Sequence, residues 1–176
     1  MIINCPVNLS AHIGPYCIIG AEPENINHLN SAGKGVILDK DCRLNGLVTI
    51  DSGIEIPTYI GKNCYLMKGV HIGHDCVISN NVIMAPHVAI GGHCFIGVNS
   101  NFGMSAVVHN RSVIPPYCMI GMGAVITKGA ALKMKPFEIW AGNPAIFIKE
   151  NTVLQERLKI SNEKRKLIIH DYLHPR

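Results

Sequence analysis

The sequence predicts an all-β fold, a left-handed parallel β-helix of hexapeptide repeats with an extruded loop and a short C-terminal α-helix. Three observations carry that prediction. Stepping by six from Val48 meets Ile54, Ile60, Leu66, Ile72, Ile78, Met84, Ile90, Ile96, Phe102, Val108, Ile114, Ile120 and Ile126, fourteen large apolar residues without a break. A second column four residues later is small throughout: Cys64, Val70, Cys76, Val82, Val88, Cys94, Ser100, Ala106, Ser112, Cys118, Ala124 and Ala130. Glycine follows many of the large positions, as at Gly61, Gly73, Gly91, Gly97, Gly103 and Gly121. An α-helix cannot use this period, because six residues turn it by about 600° and scatter the apolar positions around the cylinder. A solenoid with three short strands per coil can, since each hexad then sends one large residue inward and one small residue to a tight inner corner.

The elements follow in chain order. Ile13 and Ile19, with Cys17 in the small slot, begin an early stretch of coil. The polar, turn-rich segment from Ala21 to Gly35 breaks the beat and is expected to loop out. The hexads then run to Ala130 and fade; Ala141-Gly142-Asn143-Pro144-Ala145 reads as a turn. From Asn151 to His170 the apolar spacing becomes helical, with Asn151 or Thr152 as N-cap. The expected division is a β-helix over 1–145, with its loop at about 21–35, and a helical extension over 146–176.

Bulk composition excludes several classes. A chain of 176 residues with 48% hydrophobic and 16% charged residues builds a core rather than staying disordered. The net charge of +4 owes much to Lys159, Lys164, Lys166, Arg165 and Arg176 near the C-terminus, so nucleic acid has no special claim. No run approaches the roughly 18 apolar residues of a membrane span, and Met1 to Pro6 do not read as a leader. Seven cysteines without a Cys-x-x-Cys pair, five of them in the small column (17, 64, 76, 94 and 118), point to core filling in a reducing, cytoplasmic setting.

Three hexads make one coil, so residues 18 apart stack about 4.8 Å above one another. His74 then lies beneath Gly92 and Asn110, Asp75 beneath His93 and Arg111, and Gly73 beneath Gly91 and His109. His71 lies just upstream on the same coil. Four of the other histidines (12, 28, 170 and 174) read as ordinary surface residues. The cluster suits proton removal from a hydroxyl or amine: an imidazole titrates near neutrality, and a fixed carboxylate holds its tautomer. Gly92 offers a backbone N–H to an oxyanion and leaves room for a thioester. With no Gly-x-Ser-x-Gly elbow and no cysteine on this edge, direct transfer is expected rather than a covalent acyl-enzyme.

On these residues the chain resembles the hexapeptide-repeat transferases. His71-Ile72-Gly73-His74-Asp75-Cys76 is similar to the catalytic segment of the UDP-N-acetylglucosamine O-acyltransferases of lipid A biosynthesis. That resemblance implies His74 as general base, Asp75 as its orienting partner, Gly92 at the oxyanion and His93 and His109 near the substrate. Glu24-Asn25 and Asp51-Ser52 depart from that family where it touches its sugar nucleotide, which points away from UDP-N-acetylglucosamine itself. Ile120-Gly121-Met122-Gly123-Ala124-Val125-Ile126-Thr127-Lys128 and the Gly142-Asn143-Pro144 turn resemble the ends of sialic acid and bacillosamine-type acetyltransferases. There such residues line a CoA arm, so the resemblance implies acetyl-CoA as donor, with acyl carrier protein as the alternative, bound by Gly121, Gly123, Lys128, Gly142 and Asn143. It also implies a homotrimer whose sites lie between subunits, with His74 facing His93 or His109 of a neighbour.

The expected acceptor is a sugar or nucleotide sugar met by His71, His93, His109, Asn110, Asn25 and Asp51, and no metal is required. Two rivals remain. A γ-carbonic-anhydrase-like metalloenzyme needs histidines two coils apart, but positions 36 beyond His71, His74, His87 and His93 are Val107, Asn110, Gly123 and Gly129. A non-catalytic trimeric scaffold is the other.

Overall fold

The computed structural model describes residues 2–3, 10–28 and 33–174. Most of the segment read for a leader and the middle of the early loop (29–32) lie outside these residues. Among the described residues the strands stack into three sheets of seven, five and eight strands, which form the faces of a prism. Pairing is parallel throughout, except that Glu138–Ala141 and Ile146–Glu150 close the third face as an antiparallel pair. Each coil visits the faces in order, as with Tyr65–Leu66 on the third, His71–Ile72 on the first and Val77–Ile78 on the second.

The repeat dictates the prism. The large column from Ile60 to Ile126 points inward, and all its members are buried together with the small column beside them. Interior cysteine thiols satisfy themselves on backbone carbonyls of the next coil: Cys76 Sγ donates to Gly91 O at 3.1 Å and Cys94 Sγ to His109 O at 3.2 Å. Burial pushes the Cys118 thiol up to about 12. Each corner is turned by a residue in the left-handed region, and these also fall every sixth position: Asn63, Gly69, Asp75, Asn81, His87, His93, Asn99, Ser105, Arg111, Tyr117 and Gly123. Asn, Asp and Gly enter that conformation at least cost.

The column differs from the sequence count at its start. Coils above His71 pair at a spacing of eighteen (His71 with Ala89), but Thr49 pairs with His71, twenty-two residues on. The inward residues before Ile60 are therefore Leu38, Leu44 and Ile50; Val48 occupies the small slot, and Ile54 sits half-buried outside the column. With that register Cys42, too, is a core filler, its Sγ 3.0 Å from Gly61 O. The cause is a short insert at 52–57 between Thr49–Asp51 and Thr58–Ile60.

The early loop leaves the coil between Ile18–Ala21 on the first face and Val36–Leu38 on the second. Both insertions thus occur on the edge between these two faces, the edge that carries His74. They are tied together: Gly35 N donates to Ser52 Oγ at 2.7 Å, and Lys34 N donates to Gly53 O at 2.6 Å.

The C-terminal part begins as strand Ile146–Glu150 and continues as two helices rather than one. Naming the helices in chain order, α1 is Lys128–Ala131, α2 is Thr152–Arg157 and α3 is Asn162–Leu173. Asn151 caps α2 as expected, accepting from Leu154 N, and Ser161 caps α3. Arg165 of α3 holds Glu150 at 3.0 Å and lies over the Phe137 ring, pinning the helix to the last coil. No helix among the described residues is long and apolar enough to cross a membrane.

Candidate active site

The edge between the first and second faces gathers the reactive side chains. Asp75 turns the corner with φ 59°, so its carboxylate folds back beneath the chain and only 3% of the residue is exposed. Its Oδ1 accepts from the amides of Ile54 (3.0 Å), Glu55 (2.7 Å) and Ile56 (2.9 Å), three successive N–H groups of the short insert. Its Oδ2 lies 2.7 Å from His74 Nδ1. Alternation along a strand would send His74 and Asp75 to opposite sides; the left-handed turn brings them into contact. Burial by itself would push the Asp75 carboxyl up, but the Ile56, Ile54 and Glu55 amides and the His74 ring outweigh it and hold the group below the usual carboxylate range.

In the neutral tautomer whose Nδ1–H donates to Asp75, the lone pair of the His74 ring is left on Nε2. That atom faces Gly92, where a built Cβ would stand 2.8 Å from Nε2 and 2.9 Å from Cε1. The missing side chain is what leaves His74 its place. Among the described residues no hydrogen bond takes up the Gly92 amide, as an oxyanion donor requires. His93, also at a left-handed corner, packs its ring edge-on against His74 with centroids 4.9 Å apart and brings Nε2 to 3.8 Å from Asp75 Oδ2. It therefore joins His74 and Asp75 within the same chain, in line with the stacking of Asp75 beneath His93.

A second group joins His71, on the coil of His74, to Thr49 and Asp51 one coil lower. His71 Nδ1 is 2.9 Å from Thr49 Oγ1, and its Nε2 is 4.0 Å from Asp51 Oδ2. Glu24, at the start of the early loop, joins them, with ligand-type atoms of Glu24, Asp51 and His71 all within 4.8 Å of one another. Burial pushes the Asp51 carboxyl up; His71 lowers it and the charge of Glu24 raises it further.

The remaining predicted residues divide. Asn110 and Lys128 continue the column above His74 and Gly92, and His109, exposed, turns its Nδ1 to Asn110 O at 3.0 Å. Asn25 spends its side chain locally, accepting from Asn27 N at 3.0 Å, and among the described residues no hydrogen bond joins it to His74. Gly121, Gly123, Gly142 and Asn143 gather on the other edge of the first face: Gly123 N donates to Met104 O and Val125 N to Gly142 O. Within one chain, only Lys128 of the expected donor residues shares the edge of His74. Sequence reasoning missed the insert amides and Thr49. The only signal for the insert lay in strand pairing, which one sequence does not display.

Two family models match the chain. The bacterial transferase hexapeptide (six repeats) model covers residues 57–92, and the hexapeptide repeat of succinyl-transferase covers 87–114. Both matches fall on the six-residue repeat with which this chain builds its prism. Its repeats are similar to those of acyl-[acyl-carrier-protein]–UDP-N-acetylglucosamine O-acyltransferases: 26% identity over 166 residues with that of Campylobacter concisus, covering 93% of this chain and 62% of the relative. The enzyme of the same name from Anaeromyxobacter is 30% identical over 157 residues, covering 86% and 58%. Among solved structures, the UDP-N-acetylglucosamine acyltransferase of Bacteroides fragilis matches with a TM-score of 0.82 at 25% identity, over 93% of this chain and 63% of that one. That of Campylobacter jejuni matches at 0.79 and 25%, over 92% and 62%. A perosamine N-acetyltransferase from Caulobacter crescentus shares the fold at a TM-score of 0.58 and 17% identity, over 82% and 56%. The chain spans about 60% of the length of these two curated relatives.

Proposed function

We propose that the chain transfers an acyl group from a thioester to a hydroxyl or amine of a sugar nucleotide, with His74 as general base. The observation that carries this is the Asp75 carboxylate, locked by three backbone amides and directed at His74 Nδ1. Such a pair exists to set one tautomer, and the tautomer it sets puts a basic Nε2 against the opening left by Gly92. His74 takes the acceptor proton as the nucleophile attacks the thioester carbon. The Gly92 amide holds the oxyanion, and the C–S bond breaks as the imidazolium returns its proton to the leaving thiolate. His93 supports the charge on the imidazole–carboxylate pair. The names of the relatives support acyl transfer to a sugar nucleotide, and the Glu24 and Asp51 positions support an acceptor that differs from theirs in its sugar.

The donor reading shifts with the geometry. Arg111 and Lys128 line a cleft of about 430 Å³ together with Leu132, Met134 and Tyr172. Lys128 lies three coils above His74, about 14 Å away, which suits an anionic carrier whose thioester arm descends the edge to the base. Both an acyl carrier protein and CoA have that chemistry. Ile37, Phe95 and Val113 on the second face and Ile18 and Val107 on the first stand exposed beside this edge. A trimer of this chain would cover them and place the site between subunits; sedimentation is expected to give three copies per particle, and a monomer at working concentration overturns that arrangement.

The test is thiol release from acetyl-CoA and from acyl-carrier-protein thioesters, each with a panel of sugar nucleotides that includes UDP-N-acetylglucosamine. Acceptor-dependent release is the expected result. No release from either donor with any acceptor leaves the scaffold reading in its place. In the same assay Gly92→Ala is expected to lose about 10²-fold in turnover, because its methyl displaces the His74 ring while the surrounding coil keeps its backbone.

A further inference from the structure

We infer that Glu24, Asp51 and His71 form a binding site for a single divalent cation of borderline hardness, Zn²⁺ or Mn²⁺. The donor set is one imidazole nitrogen with two carboxylates, the combination that suits such ions. The tautomer is prepared: when His71 Nδ1–H donates to the Thr49 hydroxyl at 2.9 Å, Nε2 keeps its lone pair and faces Asp51. Asp51 is 4% exposed, and Glu24 adds a second negative charge beside it. A buried carboxylate next to another is costly unless a positive charge answers both.

The neighbouring cluster provides the contrast. His74, Asp75 and His93 also bring ligand-type atoms within 4.8 Å of one another. There, however, the carboxylate is already used: three insert amides and the His74 ring occupy the Asp75 oxygens. Asp51 is met by the Glu24 amide and by a histidine 4.0 Å away, against the three amides and the ring that hold Asp75 among the described residues. Around a bound ion, ligand atoms stand roughly 3–3.5 Å apart. The exposed Glu24 side chain is free to close the remaining gap, because it sits at the outer end of the group. The sequence expectation of no metal weighed only histidines two coils apart; this group arises from two neighbouring strands, His71–Ile72 and Thr49–Asp51, and the early loop.

The site shares Glu24, Asp51 and His71 with the proposed acceptor position, so it is tested by binding of the ion alone rather than by turnover. Mn²⁺ titrated into the chelator-treated full chain and followed by electron paramagnetic resonance, with Zn²⁺ followed by calorimetry, is expected to show one equivalent bound. Glu24→Gln, which changes an exposed residue and leaves the fold alone, and Asp51→Asn are each expected to weaken binding roughly tenfold or more. Thr49→Val, which removes only the partner of Nδ1, is expected to cost about 10- to 100-fold. Absence of a stoichiometric ion overturns the inference, as does binding unmoved by Glu24→Gln and Asp51→Asn. Binding lost in His93→Ala moves the ion to the upper cluster and overturns it equally.

Discussion

His74→Ala is expected to lower acceptor-dependent thiol release by about 10²–10⁴-fold while the protein melts nearly as before. The ring sits at a corner, outside the inward columns, so its removal opens no core cavity. What it removes is the ring nitrogen that faces Gly92 while a fixed carboxylate holds the other. The loss should appear in kcat more than in KM, since the proton moves only during the chemical step. Turnover within a few-fold of wild type would remove His74 from the role of base. A variant that fails to turn over but also fails to fold would be distinguished by its thermal melt, and His74→Gln then supplies a similar volume without a base.

Asp75→Asn is expected to damage both activity and stability, which separates it from the first variant. The amide can still accept from some of the insert amides, but it cannot serve them and the His74 ring with the same two anionic oxygens. A buried donor left unpaired costs about 1–3 kcal/mol, and loss of the orienting carboxylate is expected to lower turnover by about 10²-fold or more. The pH dependence gives a second readout. Because the Asp75 carboxyl is held below its ordinary value in the folded chain, its contribution to stability is complete above about pH 3.9 and fades as pH falls through the lower folded value. Urea unfolding followed across acid pH should show this loss in the wild type and a flatter profile in Asp75→Asn. Equal slopes in the two proteins would mean that the insert amides do not bind the carboxylate as the geometry has it.

Comparison of these two residues shows how much of the site could be read in advance. His74 and Gly92 were legible because coil stacking depends only on the six-residue period, and both lie above the insert where that period is unbroken. Asp75 was legible as a neighbour but not as a contact, since alternation along a strand sends adjacent residues apart and only the left-handed corner brings them together. A signal for those corners was present in the recurrence of Asn, Asp and Gly at 63, 69, 75, 81, 99 and 123. Gly121, Gly123, Gly142 and Asn143 were assigned to the donor by resemblance; the prism sets them on another edge from His74.

The sequence by itself determined the β-helix, its inward columns, its core cysteines and the histidine edge, because a repeat that buries one large residue per six has few other ways to fold. Only the tertiary structure decided the register of the first coils, which moved Val48 to the small slot and Ile54 out of the column. That shift is the source of the site's precision. The residues that a perfect repeat would have placed in the wall become instead a short insert whose amides grip Asp75, and its edge sets Asp51 against His71 and Glu24. Periodicity reports what is regular, so the physical reason these features stayed hidden is that they are built from the interruption of the repeat.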